Sequence, residues 1–455
     1  MKILKWTLLT LIVGVIGIFL YNYPKLNLIS GYSAKNMSSS VFVANRSLSY
    51  TDSHDNNISL INLAEDEIDL EEKYASATVF GMMQRKAIYR EGLGSVLVGD
   101  DYDNNTPYLK PNRNFNKIQV PYPYGNLTEK DTIFKEVDYT ALNKVINSFF
   151  DTGKENIKST RAIIVLYKDH IIAEKYADGF DKNSRLLGWS MAKSILSTMY
   201  GVLEKEQKIS LDSPVPVETW KNDDRKNISY RNLLQMNSGL EWEEDYSTIS
   251  DVTKMLFLEE DMTQSQISKL QIHPPGTHWS YSSGTTNLLS GLLRNQFHSH
   301  QDYLDFPYKK VIDKIGMHSM ILEADIKGNY VSSSYAWATA RDWAKFGLLY
   351  LNNGNWNGEQ IMNPSWVDFV NTPAPDSNQI YGGHFWLNAG GVMPNVPKDA
   401  FFPNGFQGQR IVIIPSQKMV VVRLGLKDID FDSLTSGIIN SINQPLSSPS
   451  VTDIQ

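Results

Sequence analysis

The hydrophobic pattern begins with an unbroken apolar run. Residues Trp6 to Tyr23 read WTLLTLIVGVIGIFLYNY, and Lys2 and Lys5 precede them. At about 1.5 Å per residue, such a helix reaches roughly 27 Å, close to the ~30 Å hydrocarbon layer of a bilayer. The lysines predict a cytoplasmic start with the rest of the chain carried outward, periplasmic or on the outer face, and Tyr21, Tyr23 and Lys25 fit interfacial anchors. No small-x-small cleavage site follows, so the pattern favours a retained transmembrane anchor over a signal peptide that would release a secreted form.

From Pro24 to about Val120 the alternation is irregular. Ser38 to Ser49 is serine-rich with a short apolar run, Val41 to Ala44; Glu65 to Lys73 reads as a helix end or solvated loop. Ala75 to Met83 reads as a strand, and Asp100 to Asn116 as a loop by its Asp, Asn and Pro content. Near Asp131 the pattern becomes regular. Tyr139 to Phe150 has helical spacing; Ala162 to Tyr167 and Ile171 to Tyr176 read as strands around the turn Lys168-Asp169-His170. Ile411 to Ile414 and Met419 to Leu424 form a second strand pair, followed by an amphipathic segment, Leu434 to Ile442. The segment between the two pairs is mostly helical in pattern. These elements predict an α/β domain over 131–445, with one sheet built from strands at both ends and a large helical insert between them. The anchor at 1–23 and an extension at 24–130 precede it; a tail, 446–455, follows. There is no solenoid repeat.

Composition narrows the classes. With 42% hydrophobic residues the chain can bury a large core, and a net charge of −7 without a basic stripe argues against nucleic-acid binding. There is no cysteine, which excludes disulfides, thiolate metal sites, a cysteine nucleophile and a lipoprotein anchor. The acidic DDYDNN at Asp100 lacks the further ligands of a calcium loop, and His298 and His300 stand without a nearby third ligand. Neither is read as a metal site, and no cofactor is implied.

Ser190-Met191-Ala192-Lys193 opens a helical run and is the one Ser-x-x-Lys in the chain. Three residues apart on a helix, hydroxyl and amine share a face. Burial at a helix start lowers a lysine's pKa and makes it a base for the serine. The bland alternative has Ser190 as helix cap and Lys193 in solvent. Tyr281-Ser282-Ser283 falls where a loop enters another helix, and a tyrosine there can relay a proton. Asn404-Gly405-Phe406-Gln407-Gly408-Gln409 leads into RIVIIP, where glycines beside a strand let the backbone offer N–H donors to a bound carbonyl. Gly188-Trp189-Ser190-Met191-Ala192 also brushes the Gly-x-Ser-x-Gly elbow, with His384 as candidate base, but ends in Ala192 and follows a poor strand.

The order of GWSMAKS, LLQMNSGLEW, HWSYSSGTTNLLSGLL and NGFQGQRIVIIP resembles the serine β-lactamase and penicillin-binding-protein-like hydrolases, closest to the branch with class C β-lactamases, esterases and 6-aminohexanoate-dimer hydrolases. The resemblance implies Ser190 as acylated nucleophile, Lys193 as its base, Tyr281 as proton relay, and an oxyanion hole from the N–H groups of Ser190 and Phe406. It extends the candidate binding residues to Ser283, Gly408 and Tyr246. Two departures stand out. Ser283 occupies the third place of the family's Tyr-x-Asn, and the edge-strand text AFFPNGFQGQ carries no Lys-Thr-Gly or His-x-Gly. The missing cation favours a small amide or ester substrate over a β-lactam or D,D-peptide. The carboxylates of Glu243, Glu244 and Asp245 either meet an amine on the substrate or are solvated. A non-catalytic envelope scaffold of the same fold is the reading from another class.

Overall fold

The structure, a computed structural model, describes residues 2–99, 101–115, 118–130, 132–153 and 155–442. The expected tail at 446–455 lies outside them.

The apolar run is helical, but the helix does not end at Tyr23. Helix α1 spans Lys2–Phe42 and passes through Pro24. A proline inside a helix cannot donate to the carbonyl four residues back, and around it the surroundings change. Trp6, Leu11 and Phe19 are exposed, whereas Ile29, Ala34 and Met37 are buried, as are Ser30, Ser33, Ser38, Ser39 and Ser40. The serines from Ser30 to Ser40 thus lie in the buried end of the helix, while Ser47 and Ser49 follow it and are exposed. Small side chains let a sheet approach closely there: the Ser30 hydroxyl donates to the Met83 carbonyl at 2.6 Å.

That sheet has four antiparallel strands in sequential order: β1 (Ala64–Asp69), β2 (Tyr74–Val79), β3 (Met82–Arg90) and β4 (Gly94–Val98). Two sequence expectations are corrected here. The acidic Glu65 to Lys73 is largely a strand, its period of two masked by uniform charge: Glu65 and Glu67 are exposed, while Asp66 turns inward to Ser33 at 2.8 Å. Ala75 to Met83 is two strands, reversed at Phe80 and Gly81, both at positive φ. The 101–115 segment is irregular, as expected, and is tied down where Arg113 pairs with Asp313 at 2.6 Å.

A buried ion pair joins this N-terminal part to the rest. Lys35 Nζ donates to Glu323 at 2.7 Å, with 7% and 1% side-chain exposure. Glu323 also accepts the Ser39 hydroxyl, the Ser95 N–H and Trp337 Nε1. Burial lowers the Lys35 pKa, and Glu323 opposes that shift. A second pairing holds Asp55 between Arg46 and Arg161 at 2.8 and 2.6 Å.

The remainder matches the expected architecture, an α/β arrangement around an antiparallel sheet. Asp138 caps helix α2 (Tyr139–Ser148) by accepting the Thr140 and Ala141 N–H groups. Strands β5 (Thr160–Tyr167) and β6 (His170–Tyr176) pair as a hairpin, and β7 (Arg185–Leu187) feeds helix α3 (Met191–Lys205). Helices α4 (Asp251–Leu258) and α5 (Ser283–Arg294) follow, with short strands β8 (Ile321–Leu322) and β9 (Ala336–Thr339) before helix α6 (Ala340–Leu351). The insert therefore contains strands as well as helices, since two-residue strands leave no periodicity. Strands β10 (Trp386–Leu387), β11 (Phe401–Phe402), β12 (Asn404–Gly405), β13 (Gln409–Ile414) and β14 (Met419–Gly425) precede the last helix, α7 (Phe431–Ile442).

The main sheet runs β10-β11-β13-β14-β5-β6, with β12 beside β13. Strands from both ends of the domain thus lie side by side, Val421 opposite Val165. Alternation along β5 serves two cores. Ala162, Ile164 and Leu166 face the helical layer, and Ile163, Val165 and Tyr167 face α2 and α7.

Replacing Lys35 with Met leaves Glu323 charged in a buried site, so Lys35→Met should cost about 3–5 kcal/mol in denaturant unfolding of the detergent-solubilised protein. Lys110→Met, at the exposed Glu91 pair, should change little. Equal stability of Lys35→Met and the unmodified protein would contradict this docking role.

Candidate active site

Strand β7 ends at Leu187, and the chain turns sharply into α3. Gly188 donates to the Ala336 carbonyl at 2.8 Å, and Trp189 takes a left-handed φ of 47°. Its ring packs against Tyr335, Phe406 and, from α1, Tyr32. A strained non-glycine residue of this kind persists only where its surroundings hold it. Ser190 then sits at the helix start with φ −63° and ψ −5°, and its side chain makes no capping bond. Lys193 is 2% exposed. The reading of a capping serine beside a solvated lysine is therefore excluded.

Lys193 Nζ lies 3.2 Å from Ser190 Oγ, 3.0 Å from Ser283 Oγ and 2.8 Å from the Ser333 carbonyl. Proton counting decides what each contact is. The Ser333 carbonyl can only accept. The single hydroxyl proton of Ser283 goes to Glu244 at 2.5 Å, so towards Lys193 this oxygen also accepts. The Ser190 oxygen also accepts from a charged Lys193; once the amine is neutral, Ser190 is the neighbour whose proton faces its lone pair. Burial lowers the Lys193 pKa to about 8, against an opposing effect of Glu244.

Tyr281 approaches from the other side. Lys193 Nζ is 4.9 Å from its ring centroid, and its hydroxyl bonds with Ser190. Tyr381 and Trp386 hold the ring at centroid distances of 5.9 and 5.5 Å. Burial, then the charge of Glu244, push the phenol's pKa well up, so it stays protonated.

Glu244 is the residue that sequence reasoning left unresolved. Its carboxylate accepts from the Ser283 N–H at 2.8 Å, the Ser283 hydroxyl, the Tyr246 hydroxyl at 2.9 Å and Trp242 Nε1. Four donors fill four lone-pair directions. The acidic loop thus points one carboxylate inward, already engaged by the protein itself, while Glu243 and Asp245 are exposed. Gly284 makes this possible, because a Cβ there would lie 2.4 Å from the Trp242 ring. Spacing alone gives no sign that Glu244 faces inward. Ser333 contributes only a backbone oxygen, which no side-chain motif reveals.

The remaining sequence candidates are distributed as follows. Ser283 is buried at the cluster's centre, and the exposed Tyr246 lies 3.3 Å from it. Gly405 brings β12 against the turn that leads into Ser190: a Cβ there would lie 2.1 Å from the Gly188 carbonyl oxygen. The next residue, Phe406, sets its ring edge-on to Trp189 at 5.7 Å. Gly408 lies at φ 72° beside Arg423 and the backbone of Lys427 and Asp428. His384 is buried with Nδ1 on the Leu234 carbonyl and Nε2 on Thr286, and burial pushes its pKa down to about 3. Both ring nitrogens are thus engaged away from Ser190, and the elbow-and-histidine triad is excluded. His300 contacts the Gly328 carbonyl, and among the described residues no His, Asp and Glu cluster fits a metal.

The family model described as Beta-lactamase matches residues 155–428. The chain belongs to the β-lactamase family. Members of this family are generally serine hydrolases. Three solved structures share its fold. A 6-aminohexanoate-dimer hydrolase candidate from Bacillus anthracis is 22% identical, covering 66% of this chain and 81% of its own, at a TM-score of 0.55. A family VIII carboxylesterase is 14% identical over 69% of this chain and 99% of its own, at 0.54. A class C β-lactamase mutant is 16% identical over 68% and 99%, at 0.53. No curated protein matches the chain. The β-lactamase-family match begins after the α1 and β1–β4 part, which packs on the domain through Tyr32, Lys35 and Asp55.

Glu244 raises the Lys193 pKa, so Glu244→Gln should move the Lys193 titration below its value of about 8. NMR of isotope-labelled lysine reads this directly. An unchanged or higher midpoint would contradict the assigned coupling.

Proposed function

We propose that the protein is a serine hydrolase that cleaves a carboxylic ester or amide through an acyl-enzyme on Ser190. The observation that supports this reading is the buried Lys193 amine, its pKa lowered to about 8, held 3.2 Å from the Ser190 hydroxyl. In the neutral form, present in substantial fraction near pH 8, Lys193 takes the Ser190 proton as Oγ bonds to the acyl carbon. Negative charge builds on the carbonyl oxygen, for which the Ser190 and Phe406 N–H groups are the proposed donors. The carbon–leaving-group bond then breaks. The protonated Tyr281 phenol passes a proton to the departing oxygen or nitrogen and regains one from Lys193. Water reverses these roles, hydrolyses the acyl-serine and frees the carboxylic acid.

The charge around the site supports the esterase and 6-aminohexanoate-dimer hydrolase branch. A substrate carboxylate needs a cation, and the two arginines beside the edge strand are engaged elsewhere. Arg410 bonds Asn404 and stacks on Phe431; Arg423 donates to the Lys158, Gln407 and Gly408 carbonyls. The charge of Glu244, which acts on both Lys193 and Tyr281, disfavours an anion there. Ser283, Tyr246 and the Phe406 ring line the approach in this reading. The body works on the outer face of a membrane that α1 spans, given Lys2 and Lys5 at its start and a helix long and apolar enough to cross.

Intact mass after exposure to a fluorophosphonate and, separately, to a penicillin tests the proposal. The expected result is one phosphonate adduct, absent in Ser190→Ala, and no penicillin adduct. A penicillin adduct would point to β-lactam or cell-wall peptide chemistry. No adduct on folded protein would overturn the enzyme reading in favour of a scaffold. Lys193→Met should slow phosphonylation by roughly 10²–10⁴-fold; an unchanged rate would contradict its role as base.

A further inference from the structure

The four-stranded sheet has one apolar end. Strand β3 runs parallel to the docked half of α1: Met83 meets Ser30, and Tyr89 meets Phe42 with ring centroids 5.8 Å apart. The β2–β3 turn at Phe80 therefore lies at the end from which α1 leaves the body towards its exposed apolar segment. Ala64 pairs with Val79, so Leu63, just before β1, lies at this same end. Ile61 and Leu26 of α1 both pack on the cluster that holds Ile29, Ala64 and Val79, which brings the neighbouring Leu60 there too. Leu60, Leu63 and Phe80 are 54%, 41% and 65% exposed. Single exposed apolar residues are ordinary, but three converging on one rim, beside a bilayer-length apolar helix, form a patch. The opposite end of the sheet provides the contrast: Leu70, in the β1–β2 turn, is just as exposed but stands alone and faces away from the span.

We propose that this rim is a second membrane contact, with Phe80, Leu60 and Leu63 entering the headgroup–acyl boundary when α1 is inserted. The proposal rests on the reading of α1 as a membrane anchor. Continuity argues for lipid as the partner. The helix enters the body at this rim, Lys25 stands over the Tyr21 ring at 4.9 Å in the interfacial position, and an apolar tip gains by leaving water at a bilayer surface. One spanning helix leaves a body free to swing; a second contact fixes its tilt. Trp189 and Ser190 are then held at a set height, because Tyr32 stacks on Trp189 nine residues, about 14 Å of helix, beyond Tyr23.

The absence of cysteine makes the test direct. Full-length Phe80→Cys, Leu70→Cys and Leu11→Cys are each labelled with an environment-sensitive fluorophore and reconstituted into phosphatidylcholine vesicles with or without a quencher-bearing lipid. The proposal predicts that the Phe80 label, like the Leu11 label within the span, loses roughly half or more of its emission to the quencher while the Leu70 label does not. Quenching at Leu11 but not at Phe80 overturns the second contact and leaves the anchor standing. Equal quenching at Phe80 and Leu70 overturns it as non-specific adsorption. Quenching at none of the three overturns the anchor reading itself, and the second contact with it.

Discussion

A lysine amine buried against a serine hydroxyl, where burial disfavours its charge, is the constraint on which the site depends. Lys193 lies within hydrogen-bonding distance of a carbonyl and two hydroxyls. A charged ammonium would donate to all three, but burial works against the charge. A neutral amine has two protons for the Ser333 carbonyl and the Ser283 oxygen, and one lone pair for the Ser190 hydroxyl. Glu244 makes the pattern one-directional: by taking the Ser283 proton it commits that oxygen to accepting. The same carboxylate opposes the burial effect on Lys193 and helps keep Tyr281 protonated. One acidic side chain therefore acts on the Lys193 amine and the Tyr281 phenol together.

The fold supplies this geometry through close backbone approaches. Gly188, Gly284 and Gly405 each stand where a Cβ would collide with Trp343, Trp242 or the Gly188 carbonyl. Trp189 is forced into a left-handed conformation and clamped by rings from three parts of the chain, one of them α1. The N-terminal helix is thus part of the wall behind Ser190 as well as a helix long and apolar enough to cross a membrane. The Lys35–Glu323 pair fastens it there, because breaking a buried pair is far more costly than breaking an exposed one.

How much of this was legible in the sequence follows from periodicity and proton chemistry. The strands β5, β6, β13 and β14 and the helices α2 and α7 show regular apolar spacing, so the sheet built from both ends was readable. Ser190, Lys193, Tyr281 and Ser283 stood in recognisable order, and the structure brings them together. The acidic β1 was hidden because Glu65, Asp66 and Glu67 look alike in text although only Asp66 turns inward. The continuation of α1 past Pro24 was hidden because proline and serines suggest a boundary, whereas here they mark close packing. Glu244 was one of three acidic residues in a row of five, and nothing in spacing distinguishes it from Glu243. Gly408 reads as a site glycine from its neighbours in sequence, and its closeness to Arg423, Lys427 and Asp428 leaves no trace in that spacing.

The most direct measurement of the central claim is the rate at which a fluorophosphonate labels Ser190 as a function of pH. If neutral Lys193 is the base, the rate rises with pH along a single limb with its midpoint near 8 and levels off above it. A rate that is flat from weakly acid to alkaline conditions, or a midpoint at the ordinary lysine value of 10.5, would contradict the account.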